Sequence, residues 1–285
     1  MSVLPLAVAG SADNPSFEMK AVILAAGKGT RMKDLTQELP KPMLLVQGKP
    51  ILEHILEGIL LSGIRDVCIV TGWRAEVIEQ RLGDGSRWGA RIQYVHQEVQ
   101  DGTGKAPELA RDFVGGDEFL LTYGDILVKP DTYQRMIDRW RGGYAGSDPR
   151  RLPESPPGAN RFSGLLTVTE GQDVTLGGLL FFDADFNLRR LVEKPSPSQL
   201  DELRNSGWIL PGQPIWYNAG IYLFSPILFE FTARLQKSPR GEYELTDAIA
   251  AMVAAGLTIA GLKIEGRWVD VRDPEVLASL QHSNG

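Results

Sequence analysis

The sequence predicts an α/β fold, a Rossmann-like mixed, mainly parallel sheet with helices on both faces and a smaller second lobe. Three observations predict it. Short runs rich in Val, Ile and Leu, the length of buried strands, recur through the first half of the chain. Between them lie stretches whose apolar residues return every three or four positions, the spacing of one helix face, and most of these close on a glycine. The alternation of strand and helix persists through four strands, and parallel neighbours need such crossovers.

Taken in order, Ala21-Val22-Ile23-Leu24 makes the first strand and Leu44-Leu45-Val46 a short one. Pro50 sits in a first helical turn, where proline is tolerated. Ile51, Leu52, Ile55, Leu56, Ile59 and Leu60 then share a face, and Gly63 is the stop. Residues 67–70 read as a strand, 73–82 as a helix stopped by Gly83, 92–95 as an alternating strand and 103–113 as a third helix. Residues 118–123 make a strand that ends in Gly124-Asp125. Residues 131–141 are helical. Residues 142–162 carry Gly, Pro, Ser and Arg without periodicity and read as a long loop, the place for mobility or a lid. Strands follow over 165–169, 179–182, 188–192 and 215–224, helices over 226–235 and 242–255, a strand over 257–264, an extended piece over 268–271 and a last helix over 274–282. Ligands on such sheets bind beyond the carboxyl ends of the strands. Gly27, Gly102 and Asp125 all fall there or at the next helix start.

The 285 residues, 43% hydrophobic and 23% charged, suit one soluble domain. Residues 1–18 read as a disordered extension. Residues 19–285 form the domain, with lobes over about 19–130 and 160–285. The short apolar run at 6–9 lacks the basic start and length of a secretory signal, since no Lys or Arg precedes Lys20. Residues 248–262 are apolar but broken by Gly256 and Thr258, so they read as helix and strand, not a membrane span. A net charge of −6 argues against a nucleic-acid binder, which carries a basic excess or stripe. Cys68, the only cysteine, allows no intrachain disulfide and points to a reducing, cytoplasmic setting. His54, His96 and His282 are isolated, with no metal-ligand spacing.

The richest chemistry lies in residues 24–43. Small residues after the first strand let the chain turn and bring N–H groups close to a ligand, while Lys28, Arg31, Lys33 and Lys41 add cations. That combination suits a polyphosphate. It is not a Walker A loop, because the closing Gly-Lys-Ser/Thr is absent. It is not a dinucleotide fingerprint, because Met32 and Lys33 stand where a third glycine would fall. Leu24-Ala25-Ala26-Gly27-x-Gly29-Thr30-Arg31 followed by Pro40-Lys41-Pro42 instead resembles the signature of the sugar-1-phosphate nucleotidyltransferases. Those enzymes join a nucleoside triphosphate to a sugar 1-phosphate and release pyrophosphate.

The resemblance implies a nucleotide-diphospho-sugar transferase fold and a role for each matching position. Leu24, Ala25, Ala26, Gly27, Gly29 and Thr30 would hold the nucleotide. Gln97, Gly102 and Thr103 would form the base pocket; a side-chain amide both donates and accepts, as a pyrimidine edge requires. Asp125 and Asp270 would bind Mg²⁺, a hard cation held by one or two carboxylates plus phosphate oxygens. Asp273, directly before Pro274, reads instead as a helix N-cap. Gly178, Glu193, Lys194 and Asn218 would hold the sugar phosphate. Arg31, Lys41 and Lys194 would be catalytic through charge. UTP or dTTP with glucose 1-phosphate are the implied substrates. Three alternatives stay open: a catalytically inactive nucleotide-sugar-binding homologue, use of GTP with mannose 1-phosphate, and a non-sugar phosphorylated acceptor. Neither nucleic acid nor membrane is an expected partner, and homo-oligomerisation is left open.

Overall fold

Ala21, Val22 and Ile23 are fully buried, and the sheet is built outward from them in both directions. The computed structural model describes residues 19–142 and 161–281. The first half of the chain supplies β1 (Lys20–Leu24), β2 (Leu45–Val46), β3 (Lys49–Pro50), α1 (Ile51–Leu61), β4 (Asp66–Thr71), α2 (Ala75–Leu82), β5 (Arg91–His96), α3 (Arg111–Val114), β6 (Phe119–Tyr123), β7 (Ile126–Val128) and α4 (Asp131–Arg141). The second half supplies β8 (Gly164–Thr169), β9 (Gly178–Phe182), β10 (Leu188–Glu193), α5 (Pro197–Asn205), β11 (Trp216–Phe224), α6 (Leu228–Thr232), α7 (Leu245–Ala254), β12 (Ile259–Lys263), β13 (Trp268–Asp270) and α8 (Pro274–Gln281).

One nine-stranded sheet organises them. β5, β4, β1 and β6 lie side by side and parallel, as strands joined by crossovers must. β11 then pairs antiparallel with β6 through Ile221–Phe224 and with β9 through Trp216 and Tyr217. β10 extends beyond β9. On its other edge β11 pairs with β8, which carries β12 in parallel. Successive side chains of a strand face opposite ways. Thus Ala21, Ile23, Val67 and Ile69 join one core, with Ile51, Leu52, Ile55 and Leu56 of α1 packed into it. Val22, Cys68 and Val70 join the other, under Leu245, Ala248, Ile249 and Met252 of α7. Each such buried aliphatic side chain contributes about 1.5–3 kcal/mol against exposure.

Several expectations change in detail. Residues 103–113 are not one helix: a turn leads to a 3₁₀ stretch, Ala106–Ala110, and then to the single turn α3. Pro107 has no N–H to give, and the N–H of Gly104 is spent on the Tyr243 carbonyl, 2.7 Å away. α2 begins at Ala75, because Arg74 before it is left-handed with φ 55°. Pro50 flanks α1 rather than entering its first turn. α6 covers only the middle of the helix expected over 226–235, and α7 starts at Leu245. The 3₁₀ stretch Thr30–Thr36, β7 and α5 are not expected from periodicity. α5 opens on a capping box in which Ser196 accepts from the Gln199 N–H and Gln199 accepts from the Ser196 N–H. The extension assigned to residues 1–18, most of the loop assigned to 142–162, and His282 lie outside the described residues. Among the described residues no helix is long and apolar enough to cross a membrane.

Candidate active site

The carboxyl ends of β1, β5 and β6 open onto one cleft of ≈ 480 Å³. Its first wall is the chain after β1. The Ala25 N–H is held by the Val70 carbonyl at 2.8 Å, which continues the parallel ladder by one residue. The Ala26 carbonyl accepts from the Trp73 N–H at 3.3 Å and from Gln100 Nε2 at 2.7 Å. Leu24, Ala25, Ala26, Gly27, Gly29, Thr30 and Arg31 all line the cleft. Lys28 instead lies over the Trp73 ring, 5.5 Å from its centroid. The Lys33 side chain is outside what the structure describes.

Gly124 lets the second wall approach. Its N–H bonds the Leu24 carbonyl at 2.8 Å, and a Cβ there would lie 3.1–3.2 Å from Leu24, Ala25 and Pro42. The residue after it, Asp125, therefore sits at the foot of the phosphate-loop candidate. β7 leaves from Asp125 and pairs with β13, which sets Asp270 opposite Ile126. The Asp125 carbonyl also accepts from the Val271 N–H at 3.0 Å. Two carboxylates far apart in sequence are thus brought to one place, and Lys41 spans them. Its Nζ is 2.5 Å from Asp125 Oδ2 and 4.0 Å from Asp270 Oδ1. Asp270 is raised to about 6, first by burial and then by the Asp125 carboxylate, while Lys41, Arg272 and Arg31 oppose the rise. The neighbouring Asp273 caps α8, accepting from the Val276 N–H at 2.9 Å.

Gln97 and Gly102 meet at the far side of the same cleft. Gln97 is 8% exposed, and its N–H continues β5 onto the Thr71 carbonyl at 2.7 Å. Gly102 adopts φ 123°, and any side chain there would strike the backbone of Tyr243. Thr103 accepts at 3.3 Å from the Leu245 N–H, at the start of α7. The 101–104 segment is therefore seated on α7, and Glu244 and Thr246 reach the cleft from that seat. Lys105 turns away, donating to the Thr232 carbonyl at 2.8 Å near the end of α6.

The third wall comes from β9, β10 and β11. Glu193 pairs in register with Gly178, and a Cβ on Gly178 would meet Asn218 Cβ at 3.0 Å and Glu193 Oε2 at 3.4 Å. Gly178, Glu193 and Asn218 are therefore one cluster. Asn218 is oriented by its own chain: Nδ2 donates to the Tyr222 hydroxyl at 2.8 Å and Oδ1 accepts from the Gly220 N–H at 3.3 Å. Burial raises Glu193 above the usual carboxylate range; Lys194 opposes this and Glu244 adds to it. Lys194 is a non-glycine residue at φ 43°, held there by its N–H to the Gly177 carbonyl at 2.9 Å. Strain of that kind concentrates at ligand sites.

The sequence-based assignments missed Gln100, Tyr217, Glu244, Thr246, Trp268 and Arg272, all of which line the cleft. Gln100, Tyr217 and Trp268 stand beside motif residues, the signal that the sequence offers for them. Tyr217 is buried and raised to about 12, first by burial and then by the Asp270 and Glu193 carboxylates.

A model of the nucleotidyl transferase family matches residues 20–146 and 158–283. The UTP–glucose-1-phosphate uridylyltransferase AglF of Haloferax volcanii is 30% identical over 90% of this chain and 93% of its own length. The glucose-1-phosphate thymidylyltransferase of Streptomyces griseus is 31% identical over 88% of this chain and 62% of its own length. The chain spans only 63% and 54% of two further curated relatives. A UDP-glucose pyrophosphorylase solved with UDP-glucose superposes with a TM-score of 0.72 at 20% identity, covering 92% of this chain and 97% of that one.

Proposed function

Because the chain belongs to the nucleotidyl transferase family, we propose that it joins a nucleoside triphosphate to a hexose 1-phosphate, giving a nucleotide sugar and pyrophosphate. The observation that carries this reading is the convergence of Arg31, Lys41, Asp125 and Asp270 in one cleft with Gly178, Glu193 and Asn218. An oxygen of the sugar phosphate attacks the α-phosphorus in line, and pyrophosphate departs opposite. A phosphate monoester is already nucleophilic near neutral pH, so position and charge supply the rate. Backbone N–H groups over residues 27–30 and the Arg31 guanidinium hold the β- and γ-phosphates. Lys41 neutralises charge at the α-phosphoryl group, and Lys194 holds the attacking phosphate. Gln97, Gly102 and Thr103 receive the base.

Asp125 and Asp270 fit Mg²⁺. They are two converging carboxylates, one raised by burial and then by the other's charge, and Mg²⁺ takes one or two carboxylates and completes its shell from phosphates and water. Bound there, it would supply charge neutralisation on the phosphate oxygens. The side-chain amide of the base pocket and the two relatives named for glucose 1-phosphate support UTP or dTTP with glucose 1-phosphate as substrates. We place the enzyme in the cytoplasm as one domain over residues 19–285, its nucleotide lobe at about 19–130 and its sugar lobe at about 160–285.

The test is pyrophosphate release with Mg²⁺, across UTP, dTTP, GTP and ATP against glucose, N-acetylglucosamine and mannose 1-phosphates. Turnover highest with UTP or dTTP and glucose 1-phosphate is expected. No release from any pair overturns the reaction. Release confined to GTP with mannose 1-phosphate overturns the substrate choice alone.

A further inference from the structure

Beside the Gly178, Glu193 and Asn218 cluster stands a side chain that none of the roles above uses. Tyr217 precedes Asn218 on β11 and lies where that strand is paired on both edges, with Leu179 of β9 and Thr169 of β8. Its position is therefore set by backbone on two sides. Its ring packs edge-on against Trp268, with centroids 5.7 Å apart and planes at 64°. Trp268 is itself anchored by Nε1 to the Ala219 carbonyl at 2.8 Å. The phenol thus has no freedom to swing.

What it fills is the place of a neighbour's side chain. A Cβ built on Gly177 would collide with the Tyr217 hydroxyl and lie 2.5 Å from Cζ. Position 177 has no side chain of its own on the cleft wall, and the Tyr217 phenol stands there instead. Residue 217 is 7% exposed and lines the cleft, yet its hydroxyl makes no hydrogen bond within the described residues. A hydroxyl so placed faces the cleft with no partner among the described residues and is free to pair with a ligand. On the same wall Glu193 is a carboxylate, and the Asn218 amide is already engaged with the Tyr222 hydroxyl and the Gly220 N–H. A neutral phenol both donates and accepts, and burial keeps this one protonated.

We propose that Tyr217 is a specificity-determining residue of the sugar subsite, its hydroxyl hydrogen-bonded to one hydroxyl of the pyranose ring of the acceptor. This rests on the nucleotidyltransferase reading and deepens it: the acceptor is a hexose 1-phosphate that keeps a free hydroxyl at the position facing Gly177. Sites built to pair a hydroxyl reject analogues without it, because their own polar group is left unpaired.

The experiment compares the wild type with Tyr217→Phe on the best sugar 1-phosphate and on its 2-, 3-, 4- and 6-deoxy analogues. The readout is the ratio of kcat/KM for parent over analogue. Each ratio is taken on one enzyme preparation, so a partly unfolded fraction of the variant cancels. Phe keeps the ring packing and removes only the hydroxyl. For one deoxy analogue the wild-type ratio should exceed that of Tyr217→Phe by about tenfold, while the other ratios stay unchanged. Ratios that match between the two enzymes for every analogue overturn the assignment; so does an equal loss on all of them, which would put the phenol against the phosphate or in the scaffold. A wild type that releases no pyrophosphate with any sugar phosphate overturns the parent reading, and this one with it.

Discussion

Lys41 is 12% exposed and shared between two carboxylates, so its ammonium does two things at once. It offsets the repulsion between Asp125 and Asp270, and in the proposed reaction it meets the polyphosphate beside them. Lys41→Ala and Arg31→Ala should each lower the rate of pyrophosphate release by orders of magnitude while circular dichroism stays native. Near-normal release from both would refute their roles. Cys68 offers a pH test of the core. It is fully buried, and burial pushes its thiol up from the ordinary value of 9.0 to about 12. The folded state therefore favours the protonated thiol. Its contribution is whole below pH 9 and is lost as the pH climbs from 9 towards 12, because the unfolded chain ionises first. Between pH 8 and 10.5 the wild type should lose about 2 kcal/mol of urea-unfolding free energy more than Cys68→Ala. At this scale much of the site was legible, but through motifs. Glycines, Asp125 and Asn218 stand in recognisable strings; Tyr217 stands directly before Asn218 in one of them but is given no role, since an aromatic in an apolar strand reads as core. Only the contact with Gly177 distinguishes it.

At the scale of elements, what could be read was whatever buried an apolar stripe. β1, β4, β5 and β6 were legible because β1, β4 and β6 are nearly all buried and β5 alternates, and α1 because five of its large aliphatics are at most 1% exposed. α5 was not, because Leu203 is its single buried residue and one residue has no period. Its stability comes from the capping box instead. Ser196→Ala should cost about 1 kcal/mol, read as a thermal midpoint about 2–4 °C lower, with pyrophosphate release unchanged because α5 lines no part of the cleft. The region after Gly102 misled for the opposite reason. Ala106, Pro107 and Ala110 are buried at spacings a helix would also give, but packing against Tyr243 and α6 decides their geometry.

Across the whole molecule, the parallel half and the later half share one set of strands. Asp125 follows β6, Asn218 lies on β11, and those two strands are hydrogen-bonded from Thr122 to Ile221 and from Phe119 to Phe224. The two lobes read from sequence are therefore regions of one sheet, even though composition and periodicity change sharply between them. A hinge needs a stretch of chain that few contacts cross, and among the described residues the halves are instead joined along β6 and β11. Where β6 meets β11 the jaws of this vice are cast in one piece, so across that seam reactants are drawn together by turning side chains and shifting surface loops.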